Sequence, residues 1–349
     1  MKTKLRKKQI RLTKEERENA LKKKYSGIVY HYCSLDTLLK IITNHTIRAS
    51  NIRKSNDYHE IVSCVGSFKA AVRRACIKYM NDNPWNIVFK SFYNPEGLGE
   101  IDIDGIIRTA IENESCTYYC ACFSKERDLL SQWITYADDG RGVAIAFSEA
   151  ILYAPTDYCH YKYAEIEYNL NNPRSNRLQR LSEYILENLK SVDETHGDEV
   201  TEEDYANAFF RVVNPMVYNS VFYKDTSFKA EKERRLVFYP FGNVRNLRYK
   251  NVTGTYDKDQ MYYDKMLELV NEGEKMGEFY RKPIGFGIKD SKISSYVDFD
   301  FSSCTRYFVP EIILGPKCTI DDLDLKLLLV SNGFDLAHTK ISHSSSSYR

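Results

Sequence analysis

Ile28-Val29-Tyr30-His31-Tyr32-Cys33-Ser34 is the stretch on which the reading of the fold turns. Its β-branched and aromatic residues make a buried strand, and the strand ends in a histidine between two tyrosines. Ser34 then suits a helix N-cap, and Leu35, Leu38, Leu39 and Ile42 recur at helical spacing. A short strand, Thr46-Ile47-Arg48-Ala49-Ser50, follows. This opening delivers His31 to a strand end, where a ligand is within reach. The same residues also suit a tyrosine-rich core strand with one hydrogen-bonded histidine.

Working outward, the chain alternates elements without internal repeats. Glu60–Met80 reads as a helix, because Ile61, Cys64, Val65, Phe68, Val72, Ala75, Cys76 and Tyr79 share a face. Further helices are expected at Asp102–Glu114, Asp128–Ala137, Arg174–Lys190, Glu202–Tyr223 (broken near Pro215) and Asp321–Val330. Strands are expected at Thr117–Phe123, Gly142–Phe147, Tyr158–Tyr168, Arg234–Tyr239, Pro283–Ile288 and Tyr307–Leu314, with Ala337–Ser342 a closing edge. The polar stretch Ser191–Glu203 reads as an insertion loop. The order implies an α+β fold with split, largely antiparallel sheets and inserted helices. No G-x-G-x-x-G follows a strand, which argues against a Rossmann-type nucleotide site. The expected organisation is a basic helical extension over 1–24, one domain over 25–343 with a helical insertion near 170–225, and a polar tail over 344–349.

Composition bounds the function. The 349 residues are 43% hydrophobic and 13% aromatic, enough for a packed core. Residues 1–24 hold eleven Lys/Arg against three Glu, a net +8, so the remainder carries −6 of the overall +2. That basic segment is a candidate contact for nucleic acid or an acidic protein partner, and equally a solvated extension. There is no apolar run near about 18 residues and no leader pattern, so no membrane association and a cytoplasmic location are expected. Nine cysteines, mostly in apolar patterns, read as reduced thiols. Cys116, Cys120 and Cys122 lack finger spacing, and no metal is expected.

Two further constellations carry chemistry. Thr117–Ser124 is a strand ending in Ser124, and the next helix carries Trp133 and Tyr136 on one face. A hydroxyl there can bond an amide or ribose while a ring stacks on a flat ligand. The same residues also suit a helix cap and two core aromatics. Phe228–Phe238 contains Glu231 and Glu233, which on a strand share a face with Arg235. A carboxylate in such a place stabilises the oxocarbenium-like charge of a glycosyl transfer. Alternatively the segment is a strand of ordinary Glu/Arg pairs.

Taken together, Tyr30-His31-Tyr32, Ser55 to Glu60, Cys122-Phe123-Ser124, Gln132 to Asp138, Gly140 to Phe147, Phe228 to Val237 and Val309 to Lys317 resemble the bacterial domain of unknown function 2971 family, over about residues 28–343. More distantly, the Tyr-His-x-Cys-Ser opening is similar to that of DNA-modifying ADP-ribosyltransferase toxins and RNA 2′-phosphotransferases. The order His, Ser with an aromatic, then Glu matches the His–Tyr–Glu layout of that superfamily. That resemblance implies NAD as substrate. It places His31, beside Tyr32, on a ribose, Ser124 on the nicotinamide amide, and Tyr136 or Trp133 on the nicotinamide ring. Glu233, or Glu231, would bond the ribose 2′-hydroxyl as the catalytic carboxylate. Cys33 departs from the commoner threonine. The implied setting is anti-phage defence or a toxin-like effector modifying nucleic acid or protein. Two other classes stay open: a non-catalytic module recognising a nucleotide or phage component, and a metal-dependent nuclease using Asp57, Glu60 and Glu231 or Glu233.

Overall fold

The structure is a computed structural model that describes residues 27–52, 65–93, 118–152, 161–168, 176–238, 284–289 and 291–348. The helix expected at 102–114, the basic segment 1–24, and Asp57, Glu60 and Cys116 lie outside the described residues.

In chain order the strands are β1 (Ile28–Cys33), β2 (Thr46–Asn51), β3 (Tyr119–Ser124), β4 (Val143–Ser148), β5 (Tyr161–Glu165) and β6 (Glu167–Tyr168), then β7 (Tyr223–Lys224), β8 (Glu233–Phe238), β9 (Gly285–Lys289), β10 (Lys292–Asp300), β11 (Glu311–Leu314) and β12 (Lys340–His343). The helices are α1 (Leu35–Asn44), α2 (Val65–Asp82), α3 (Ile87–Phe92), α4 (Leu130–Tyr136), α5 (Glu149–Leu152), α6 (Asn176–His196), α7 (Glu202–Ser220), α8 (Thr305–Phe308) and α9 (Asp322–Ser331). The architecture is mixed α/β with largely antiparallel pairing. The chain divides into two compact units, one of Met1–Leu38, Arg127–Pro155 and Cys304–Arg349, the other of Leu39–Glu126 and Thr156–Ser303.

In the first unit the strands run β12-β11-β4-β1. β1/β4 and β4/β11 are antiparallel, and β11/β12 is parallel. Alternation along β1 turns Tyr30 and Tyr32 to one face, with Ala146 and Ala144 opposite them on β4. Those four residues pack with Trp133, Ala137 and Ile313, so α4 covers this face. The small alanines leave room for the indole. Ser34 caps α1 as expected: its Oγ accepts from the Thr37 N–H at 3.3 Å. The turn after α4 holds three successive residues in the left-handed region, Asp138 (φ 50°), Asp139 (φ 55°) and Gly140 (φ 82°). Next to it, a Cβ on Gly142 would stand 2.1 Å from the Cys33 carbonyl oxygen, so only glycine fits there.

The polar segment after β12 is held by hydrogen bonds to the first unit. The Asp128 carboxylate accepts from Ser344 Oγ (2.6 Å), Ser345 N (2.7 Å) and Ser345 Oγ (2.8 Å). Tyr348 donates to Asp139 at 2.7 Å, and the Lys317 ammonium lies 3.8 Å over its ring.

In the second unit the paired strands run β9-β10-β2-β3-β8-β5, every pair antiparallel. A short parallel pair, β6/β7, stands apart. Helices α2, α3, α6 and α7 supply a second layer whose core includes Phe68, Tyr79, Phe89, Phe92, Tyr205, Phe209 and Phe222. A polar knot ties these helices. Asp193 accepts from the Tyr79 and Tyr205 hydroxyls, and Asn86 Nδ2 donates to the Tyr205 hydroxyl at 2.5 Å.

Several boundaries differ from expectation for physical reasons. The stretch 191–196 is helical, not a loop, because Val192 is buried in the helical core and Asp193 anchors the knot. Helix α7 runs through Pro215, since one missing donor does not end a helix held by its neighbours. Of the strand expected over 158–168, the described residues 161–168 form two short strands with different partners, β5 on β8 and β6 on β7. Residues 305–308 form α8 rather than the start of β11.

Candidate functional site

The candidate centre lies in the second unit, where β3 and β8 run antiparallel and bring Ser124 directly opposite Glu233. Glu231 is not on the strand beside Glu233, as the alternation implied. It ends a 3-10 turn (Thr226–Glu231), and Lys232 then takes a left-handed conformation, φ 45°. β8 begins at the next residue, Glu233. Both carboxylates nevertheless meet one cation: Lys224 Nζ lies 2.8 Å from Glu231 Oε2 and 3.2 Å from Glu233 Oε2.

Arg235 completes the cluster. Its Nε donates to Glu233 Oε1 at 2.5 Å and its Nη1 to the Val221 carbonyl at 2.9 Å. Residues i and i+2 share a strand face, which is why Glu233 and Arg235 meet. Lys224 comes from β7, and its ammonium also lies 4.5 Å from the Phe228 ring. The Glu233 side chain is only 5% exposed, and those of Lys224 and Arg235 are 1% and 0% exposed. Burial pushes the Glu233 pKa up, but Arg235 and Lys224 outweigh it and hold the carboxyl below its ordinary range. It is therefore ionised at neutral pH. Burial pushes the nearby Tyr168 hydroxyl up to about 12, and that hydroxyl accepts the Glu233 backbone N–H at 2.8 Å. Cys120 and Cys122 stand beside the cluster with their sulfurs 3.7 Å apart. A hydrogen bond donated to Cys120, then burial, raises the Cys122 thiol, so it stays protonated.

Ser124 is buried, and its hydroxyl is already engaged. It donates to the Glu231 carbonyl at 2.6 Å and accepts from the Glu126 N–H at 3.0 Å. In this role Ser124 pins the turn that carries Glu231.

The other expected site residues belong to the first unit. His31 is half-buried on β1, opposite Ile145. Alternation puts it on the face away from Tyr30 and Tyr32. Trp133 lies on the Tyr32 face, fully buried, with its ring 4.8 Å from Tyr32 and edge-on to it. The Trp133 Nε1–H donates to Asp128 at 2.6 Å. The Tyr32 hydroxyl accepts from the Leu129 N–H at 3.0 Å. The structure therefore does not bring His31 together with Trp133 or Tyr32. Of the two ring candidates, Tyr136 is the accessible one, at 41% exposure.

Sequence reasoning missed Lys224 and Tyr168 as partners of Glu233. Arg235 carried a signal, being two residues along the same strand. Lys224 carried none, because the 3-10 turn intervenes. Among the described residues no group of three or more His, Cys, Asp or Glu is arranged to hold a metal ion. No helix among them is long and apolar enough to cross a membrane.

The family model described as "Protein of unknown function (DUF2971)" matches residues 132–236. The match begins in α4 and ends in β8, so it takes in Trp133, Tyr136, Glu231 and Glu233 and leaves His31 and Ser124 outside. No curated protein and no solved structure matches the chain.

Proposed function

We propose that the chain is an ADP-ribosyltransferase-type enzyme that takes NAD as substrate and uses Glu233 as its electrostatic carboxylate. The observation that carries this reading is the Ser124–Glu233 pairing across β3 and β8, with Glu233 ionised at neutral pH. Breaking the bond between nicotinamide and ribose leaves positive charge on the ribose and releases neutral nicotinamide. A fixed carboxylate beside that carbon stabilises the charge before the acceptor's nucleophile bonds to it. Nucleic acid or a protein side chain serves as acceptor, and defence or toxin action is the setting that resemblance suggests.

The fit to NAD is partial. The charge on Glu233 and its place beside Ser124 suit the role. Its oxygens are taken up by Arg235 and Lys224, and the Ser124 donor is spent on the Glu231 carbonyl. Trp133 is sealed in the core and is not available to stack on a ligand. Catalysis on this reading requires the 3-10 turn 226–231 to move with Lys224 and free one carboxylate oxygen. The test is nicotinamide release from NAD by the full chain, with and without cell extract, compared with Glu233→Gln.

A second reading has its own support. Two cations and two carboxylates balance within the buried cluster, and such a cluster serves structure as readily as chemistry. On that reading the protein is a recognition module for a nucleotide or phage component. Intact nucleotide binding without NAD turnover would select it.

A further inference from the structure

Helix α2 buries Phe68, Ala71, Val72, Ala75, Cys76 and Tyr79 on one side. Its other side is a shallow groove that includes Arg73, Arg74, Ile77, Lys78 and Asn81. Lys69 sits one turn before Arg73, and Lys190 of α6 reaches the C-terminal end of α2, 3.7 Å from Asp82. At that end Lys78 also meets Asp82, at 3.0 Å, so the carboxylate is held by two lysines and Arg73 and Arg74 lie further back along the helix. Among the described residues neither Arg73 nor Arg74 has a carboxylate partner. Arg74 and Lys78 stand four residues apart, about 6 Å along the helix, and Arg73 adjoins Arg74, so the three form a short cationic row on the exposed side.

Three residues beyond the end of α2 stands Trp85, 90% exposed, with Ile87 at 79% beside it. Trp85 is the most exposed of the large hydrophobic side chains in the described residues. An indole left in water three residues beyond a helix that carries unpartnered arginines suits an occupant that is at once polyanionic and flat-ringed. An acidic peptide would satisfy the arginines and leave the indole idle. A stacked duplex hides its base faces. Single-stranded nucleic acid offers both features, phosphates for the arginine forks and unstacked bases for the ring.

We propose that the exposed face of α2, with Trp85, is a binding surface for single-stranded nucleic acid. Arg73, Arg74 and Lys78 follow the phosphates, and Trp85 stacks a base. This surface stands independently of any chemistry at Glu233. It operates whether the strand is an acceptor for transfer or a signal to be recognised.

The two tryptophans make the test direct, because Trp133 is fully buried and Trp85 is in water. A short oligothymidylate added to the full chain at low salt should quench the red-shifted part of the tryptophan emission. Binding should weaken log-linearly with salt, as phosphate contacts release counterions. Because residues 1–24 add a charge of +8, affinity alone does not identify the surface; the quench does. Trp85→Phe should abolish the quench, and Trp85→Ala should weaken binding by about tenfold or more, the effect of losing one stacked base. The double variant Arg73→Glu/Arg74→Glu should weaken binding further. All these positions are on the surface, so the fold is retained, as circular dichroism would verify. Affinity unchanged in both the Trp85→Ala and arginine variants would overturn the proposal. Equal competition by polyglutamate would reassign the face to an acidic protein. Equal binding of duplex without quenching would remove the stacking role and the proposal with it.

Discussion

Ser124 and Glu233 face each other across an antiparallel strand pair, yet the serine hydroxyl bonds the backbone of Glu231 rather than the Glu233 carboxylate. The serine is thus a clasp on the turn that closes over the glutamate. Moving that turn would free the Ser124 hydroxyl and part the Glu231 carboxylate from Lys224. The predictions about this centre follow from that coupling.

Glu233→Gln keeps the shape of the side chain and removes its charge. On the transferase reading, nicotinamide release should fall by about 10²–10³, the usual loss for one electrostatic stabiliser. The same change strands Lys224 and Arg235 with one fewer buried counter-charge, so chemical unfolding must be measured alongside. A stability loss with no change in turnover would make Glu233 a structural residue.

Acid should destabilise the protein in part through Glu233. Its folded pKa is depressed, so its contribution is present above the ordinary carboxylate range and lost as pH falls through the folded value. Urea midpoints measured from about pH 7 down to about pH 3 should drop for the wild type. The drop should be shallower in Glu233→Gln, which has no proton to take up at that site. Parallel curves for the two proteins would remove Glu233 from the acid response.

Asp193→Ala should cost about 1–3 kcal/mol, because it leaves the Tyr79 and Tyr205 hydroxyls short of an acceptor inside the helical layer. Tyr79→Phe removes one donor with its bond and should cost less. The order of the two in thermal unfolding is the measurement, and a reversed order would show that the knot does not hinge on Asp193.

Ending the chain after His343 should loosen the first unit locally. It removes the hydroxyl and amide donors on Asp128 and the Tyr348 contact on Asp139. Amide exchange should speed up across 128–142, where three left-handed residues depend on outside support. Unchanged protection there would make the C-terminal residues passengers.

The legible parts of the sequence were those governed by local rules. Ser34 capping α1, the alternation of β1, and the apolar side of α2 each follow from spacing within a few residues. Both β3 and β8 were legible as strands, but their pairing and register were not, because these are set by contacts more than a hundred residues apart. What failed has a common cause. Lys232 adopts a left-handed backbone without being glycine, and no sequence pattern announces it. That single kink moved Glu231 off the strand. Trp133 and His31 fall on opposite faces because α4 packs on the tyrosine side of β1, a choice made by the alanines of β4 a hundred residues downstream. The exposed Trp85 was present in the sequence, but exposure is a tertiary property.

The parallel pairing of β11 with β12 has a consequence for how the chain is made. The first unit draws its strands from three stretches of sequence, and β12, near the end of the chain, closes the order β12-β11-β4-β1. During synthesis β1 emerges first but must wait for β4, and β4 must wait through the whole middle of the chain for β11. Contacts of such long sequence separation form slowly. The nascent chain therefore carries an unfinished sheet until β12 leaves the ribosome, and a product stalled or cut before β12 would present that open edge to chaperones or to aggregation.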